Sequence, residues 1–128
     1  MFYEIYLPFP PTVNNYYVKT KRGVFISTKG RQFRSKVAEC INEQLPDVFI
    51  EDKMLVEVVL YPPDKRIRDL GNYDKALMDA LTEGGLWEDD SLIDQQMFYR
   101  GVPTKGGQTY MRIFDAGPIL GLDQRPPD

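Results

Sequence analysis

MLVEVVLYPPDKRIRDLGNYDKALMDALTEGG, residues 54–85, is the stretch on which the fold turns. Residues 54–61 are β-branched or aliphatic at nearly every position, which predicts a strand, and Pro62-Pro63 ends it because proline cannot donate to a ladder. Further on, Ala76, Leu77, Ala80 and Leu81 recur as one apolar stripe at helical spacing, and Gly84-Gly85 stops the helix. Asn72 reads as the helix cap, since its side chain can accept from a free backbone N–H of the first turn. A strand, a polar crossing and an amphipathic helix predict a sheet with a helix laid on it.

Working outward, residues 2–7 alternate loosely and run into prolines, predicting a first strand. Residues 16–19 and 24–27 read as a hairpin turning near Lys21 to Gly23. Ser27 or Thr28 can cap a second helix, in which Phe33, Val37, Cys40, Ile41 and Leu45 share a face. Cys40, the one cysteine, reads there as a small core residue and forms no internal disulfide. Residues 92–102 and 108–114 predict two more strands, joined as a hairpin through PTKGGQ. The order β-β-β-α-β-α-β-β describes an α/β (α+β) protein: a single small domain, residues 1–115, with one mixed or mainly antiparallel sheet and two helices. Residues 116–128, rich in glycine and proline, read as a flexible C-terminal tail.

Composition narrows the chemistry. The 128 residues fit one domain, and no apolar run of about 18 residues or secretory leader is evident, so the expectation is a cytoplasmic protein with no membrane partner. With no histidine and one thiol, a Ser-His-Asp triad, a Cys-His pair and the usual zinc sites lack their parts. Carboxylate, lysine, tyrosine and a hard metal ion held by oxygen remain. The net charge of −3 conceals a segregation. Between Pro11 and Lys36 lie Lys19, Lys21, Arg22, Lys29, Arg31, Arg34 and Lys36 with no acid, whereas from Asp69 to Asp94 eight acids stand against Lys75 alone. Such a chain can present a basic surface around an acidic spot.

The acidic stretch has two readings. Asp74 suits the positive end of a helix dipole, residues 88–90 suit a solvated loop, and Lys75 can pair with Asp79 one turn on for about 0.2 to 0.5 kcal/mol. Alternatively, Asp69, Asp74, Asp89, Asp90 and Lys75 supply oxygen ligands and one cation, the minimal kit for metal-assisted attack of water on a phosphodiester. If KRIRD is extended, Arg66 and Arg68 share one side and can hold a phosphate while Asp69 faces the other way toward a metal. Tyr16 and Tyr17 suit either strand positions or stacking on unpaired bases.

Four segments in order add a resemblance: LPFPPTVNNYY at 7–17, PDKRIRDLGNYDKALMDAL at 63–81, GLWEDDSLI at 85–93 and the VPTKGG turn at 102–107. The chain resembles the RusA family of crossover junction endodeoxyribonucleases from about Tyr3 to Asp115. The resemblance implies a homodimer, phage or prophage encoded and acting in the cytoplasm of a bacterial cell or phage-infected host, that resolves four-way (Holliday) junctions by paired nicks. It implies Mg²⁺ as cofactor, with Mn²⁺ a substitute. It casts Asp69, Lys75 and Asp90 as catalytic, with Asp69 and Asp90 holding the metal, Asp89 as the neighbouring acid and Asn72 capping the helix; Asp74, whose counterpart in the family is commonly not acidic, joins the metal candidates from its own place in the first turn. Asn14, Asn15, Tyr17, Lys19, Lys21, Arg22, Lys29, Arg31, Arg34, Arg66 and Arg68 are the candidates for DNA contact. One position departs from the family pattern: its second acid falls on Gly71, which leaves two readings. Either Asp74 restores the carboxylate count, or the site is impaired and the chain binds junctions without cutting them. Glycine also eases the bend before a helix.

Overall fold

The computed structural model describes residues 1–118 and 125–127. Its strands are β1 (Phe2–Leu7), β2 (Tyr17–Thr20), β3 (Gly23–Ile26), β4 (Met54–Tyr61), β5 (Ile93–Arg100) and β6 (Gln108–Asp115); its helices are α1 (Val13–Tyr16), α2 (Thr28–Gln44) and α3 (Asp74–Glu83). The order in the main sheet is β1-β6-β4-β5, with β4 antiparallel to β6 and parallel to β5. This is the expected mixed sheet in an α+β domain.

The middle of the sheet follows from the opening stretch. In β4, Met54, Val56, Val58 and Leu60 are buried, and the alternate residues are half-buried, so both faces tolerate neighbours and the strand sits inside the sheet. Its buried side joins Ile5, Leu7, Met111 and Ile113 against Phe33, Val37 and Ile41 of α2 and Ala76, Leu77, Ala80 and Leu81 of α3. Cys40 is half-buried at the margin of this core. Ser27 caps α2, its hydroxyl accepting from Gly30 N–H at 2.9 Å. Gly30 is required there: a Cβ would come within 2.5 Å of the Tyr16 carbonyl oxygen.

Several expectations are corrected. Strands β5 and β6 do not form a hairpin, because β4 lies between them; the connection crosses the end of β4, tied to it by Thr104 N–H donating to the Pro62 carbonyl at 2.7 Å. Strands β2 and β3 form a separate two-stranded ribbon rather than joining the main sheet. Tyr16 ends the short helix α1 instead of starting a strand. Asn72 caps nothing: it closes a 3₁₀ turn, Leu70–Asn72, and Tyr73 stands at the start of α3 with no side-chain cap. Of the expected tail at 116–128, residues 119–124 and 128 lie outside the described residues. Its first residues are anchored, with Ala116 N–H on the Lys53 carbonyl and Gly117 held by the Gln95 amide.

Candidate active site

The crossing between β4 and α3 ends on two fixed points. Asp69 caps the 3₁₀ turn by accepting from Gly71 N–H at 3.1 Å, and Tyr73, buried and edge-on to Phe9 at 5.0 Å, seats the first turn of α3. That turn then carries Asp74 and Lys75 to the edge strand β5. A second 3₁₀ turn, Asp90–Leu92, leads into β5 beside them. Between these elements lies an open cleft of about 530 Å³ lined by Asp74, Lys75, Met78, Asp90, Ile93, Asp94, Gln95 and Gln96.

Charges in the cleft are incompletely neutralised. Asp74 accepts from the Gln96 amide at 3.0 Å, a neutral donor that fixes the carboxylate without cancelling its charge. The carboxyl of Asp90 is pushed above the usual range by desolvation and then by the adjacent Asp89, with Asp74 adding to the push and Lys75 opposing it. Asp89 is held low, chiefly by the Ser91 hydroxyl donating to it at 2.8 Å. Among the described residues no three acids gather as a ready metal cage. Mg²⁺ does not need one, since it commonly binds through one or two carboxylates plus water and substrate phosphate. Two crowded carboxylates at one cleft, Asp74 and Asp90, fit such an ion. Asp69 and Asp89 are exposed and do not line the cleft.

Lys75 does not pair with Asp79. Asp79 instead takes Arg34 Nη2 at 2.7 Å and Nε at 3.1 Å, and it accepts from the hydroxyl of the fully buried Tyr16. Desolvation and the bond to Asp79 raise the Tyr16 hydroxyl above the ordinary tyrosine value. Lys75 is left with its ammonium 5.9 Å from the centre of the Tyr17 ring, a contact with no charge to neutralise it.

The expected DNA contacts divide accordingly. Arg34 is paired with Asp79, while Arg66 and Arg68 both converge on Asp64, at 2.9 and 2.8 Å, which keeps the two arginines together on one side. These bonds hold the Asp64 carboxyl well below its usual range. Tyr17 is half-buried, edge-on to Tyr16 at 4.8 Å, rather than free to stack. Asn14, Asn15, Lys19, Lys21, Arg22, Lys29 and Arg31 are exposed. Among the described residues the lysines of this set and Arg22 are in no ion pair; Arg31 reaches only the Ile26 carbonyl at 3.4 Å.

Gly71 has room for more. A Cβ there would meet only Asp69 Oδ1, at 3.5 Å, and the backbone is not in the left-handed region. Sequence reasoning missed Gln96 and Asp94. Their only signal was strand alternation, which puts 94 and 96 on one side of β5 but does not reveal that α3 approaches that side.

The family model described as Endodeoxyribonuclease RusA matches residues 8–113. Among curated relatives, the crossover junction endodeoxyribonuclease RusA of Enterobacteria phage HK97 is 35% identical over 111 residues, covering 87% of this chain and 92% of the relative. The protein of the same name from Escherichia coli K12 is 34% identical over 115 residues, covering 90% and 96%. That of Enterobacteria phage 82 is 35% identical over 115 residues, with the same coverage of 90% and 96%.

Proposed function

The chain belongs to the RusA family of endodeoxyribonucleases, and from that premise we propose that it is a Mg²⁺-dependent homodimeric nuclease that resolves four-way DNA junctions by paired nicks in the cytoplasm of a bacterial or phage-infected cell. The observation that carries this reading is the cleft, where Asp74, Lys75 and Asp90 meet while Asp79, the natural local partner of Lys75, is occupied by Arg34.

Each residue then has work to do. Asp74 and Asp90 hold the metal, with Asp69 supporting them from the preceding turn and Asp89 crowding Asp90. A bound Mg²⁺ supplies a water of lowered pKa and neutralises charge on the phosphate. Gln96 fixes the direction of Asp74. Lys75 places its ammonium against the charge that builds on the phosphate and the departing oxygen, where a positioned cation acts most strongly in the transition state. Lys19, Lys21, Arg22, Lys29 and Arg31 hold flanking phosphates, so binding weakens steeply with salt.

Paired nicks on a two-fold symmetric junction call for two clefts, hence two chains related by a C2 axis. The sheet face opposite α2 and α3 supports that assembly. It exposes Phe2, Tyr6, Met97 and Tyr99 with the ring pairs Phe2–Phe114 and Tyr6–Tyr110, around an ion pair of Arg112 and Glu57 at 2.9 Å. Aromatic and methionine side chains with arginine are the composition of subunit contacts, and the alternating charges of Glu4, Arg112 and Glu57 across adjacent strands can meet a second copy's Arg112.

Incubating the protein with a synthetic four-way junction and Mg²⁺ tests the reading. Symmetric nicks in opposing strands are expected; junction binding with no nicks overturns catalysis. Gly71 favours one alternative, a junction-binding protein that does not cut. Its signature is tight, salt-sensitive binding without cleavage that Gly71→Asp converts to cleavage.

A further inference from the structure

The β2–β3 ribbon stands apart from the main sheet, and its register pairs Tyr17 with Ile26, Val18 with Phe25 and Lys19 with Val24. Side chains alternate, so Tyr17 and Ile26 share one face and Val18 and Phe25 the other. The first face is the inward one, because Tyr17 and Ile26 pack against the core. Val18 and Phe25 therefore point outward, and they remain 45% and 51% exposed. An isolated exposed valine needs no explanation, but this cross-strand apolar pair leaves about half of each residue uncovered side by side on a thin ribbon.

The surroundings say what would cover it. Lys19 lies on the ribbon's other face, opposite Val24 in the register, Lys21 and Arg22 form the turn, and no acid occurs between Pro11 and Lys36. A polyanion is drawn to this surface, and a second copy of the same ribbon is repelled from it. The base of the ribbon is also rigidly joined to the cleft. Ser27 N–H donates to the Tyr16 carbonyl at 2.9 Å, Gly30 packs directly beneath, and the Tyr17 ring lies 5.9 Å from the Lys75 ammonium. The ribbon thus reaches Lys75 through Tyr17 on its inward face, while Val18 and Phe25 stand on its other face.

We propose that Phe25, backed by Val18, recognises the branch in the DNA: its ring stacks on a base that has lost a stacking neighbour at the crossover, while the ribbon's cations hold the phosphates on either side. The proposal rests on the nuclease reading above and adds the means of telling branched from linear DNA. Cations alone bind any duplex; an aromatic face gains only where a base face is open. The sequence had offered Tyr16 and Tyr17 for stacking, but one is buried and the other is packed on its neighbour.

The test compares wild type with Phe25→Ala, Phe25→Trp and Lys21→Gln/Arg22→Gln on a four-way junction and on a linear duplex built from the same arms. Phe25→Ala is expected to weaken junction binding about tenfold or more, leave duplex binding and its salt slope unchanged, and abolish the fluorescence change of a 2-aminopurine placed at the crossover. Phe25→Trp restores both junction signals. Removing the two cations lowers binding to both DNAs alike and flattens the salt slope. An unchanged junction-to-duplex ratio in Phe25→Ala overturns this proposal even when wild type cuts junctions normally. A shift of Phe25→Ala from dimer to monomer in sedimentation overturns it too, assigning the pair to a subunit contact. Wild type that binds junctions no better than duplex and makes no nicks removes the nuclease reading along with it.

Discussion

Helix α3 carries the same chemistry at two places and puts it to opposite uses. One turn into the helix, Asp79 is half-buried and closed: Arg34 and Tyr16 satisfy it, and the three groups tie α1, α2 and α3 together. At the start of the helix, Asp74 and Lys75 are open: a neutral amide fixes one, a ring lies near the other, and Asp90 adds a further unneutralised carboxylate. A closed network contributes stability and has nothing left to offer a ligand. An open one forgoes that stability and can complete itself with a metal and a phosphate. The first also protects the second, because an Asp79 without Arg34 stands four residues from Lys75, in position to draw the ammonium out of the cleft.

The largest effect that bears on this contrast is Lys75→Met. It is expected to lower single-turnover nicking of a four-way junction by about 10² to 10³-fold, the usual cost of removing one positioned charge from a transition state. Its melting temperature should stay within a degree or so of wild type, since Lys75 is exposed and, among the described residues, in no ion pair. A variant that melts early but cuts normally would place Lys75 in the structural region instead. Next is Gly71→Asp, for which the structure has space beside Asp69. Adding a carboxylate to the open region should raise nicking about tenfold and tighten Mg²⁺ dependence, a shift comparable with 1.4 kcal/mol. No gain at any Mg²⁺ concentration would show that Asp74 already completes the set.

The closed region was the harder of the two to read from sequence. β4, the apolar stripe of α3 and the Ser27 cap follow from local rules, because periodicity and capping act within a few residues. Asp74, Lys75 and Asp90 were legible for a similar reason, being concentrated in two short segments, whereas Asp94 and Gln96 of the same cleft were not. What escaped was pairing across the chain. Nothing local distinguishes a helical Lys75–Asp79 pair from an Asp79 claimed by Arg34, 45 residues away, or Arg66 and Arg68 turned toward Asp64 from arginines turned toward phosphate. The false β5–β6 hairpin has the same origin: a short glycine loop suggests direct pairing, yet β4, with two tolerant faces, occupies the place between them.

Arg34→Met should break the closed region and injure the open one. It leaves the half-buried Asp79 with one hydrogen bond and is expected to cost about 2 kcal/mol, or several degrees in melting temperature. Nicking measured well below that temperature should fall as well, because Asp79 becomes a competitor for Lys75. The double variant Arg34→Met/Asp79→Asn should regain nicking, the competitor having lost its charge, whether or not stability returns. If Arg34→Met loses stability but keeps full activity, the two regions are energetically separate.

The smallest effect concerns protons. Because Tyr16 keeps its hydroxyl proton more tightly in the folded chain, the unfolded chain releases that proton first, near pH 10. The resulting stability is fully present below that pH and is lost as pH rises beyond it, at a slope approaching about 1.4 kcal/mol per pH unit. Denaturant unfolding between pH 9 and 11 should therefore show a decline that Tyr16→Phe flattens. Tyr110 provides the contrast within one molecule: its hydroxyl, pushed up to about 12 by its bond to Glu4, belongs to an exposed pair on the open sheet face. Solvent screens that pair in a single chain, so in samples dilute enough to be monomeric Tyr110→Phe should flatten the decline less. Equal flattening by the two variants would mean that the Tyr16–Arg34–Asp79 network is no more closed to water than the sheet surface, and Lys75 would then owe its freedom to something other than the burial of Asp79.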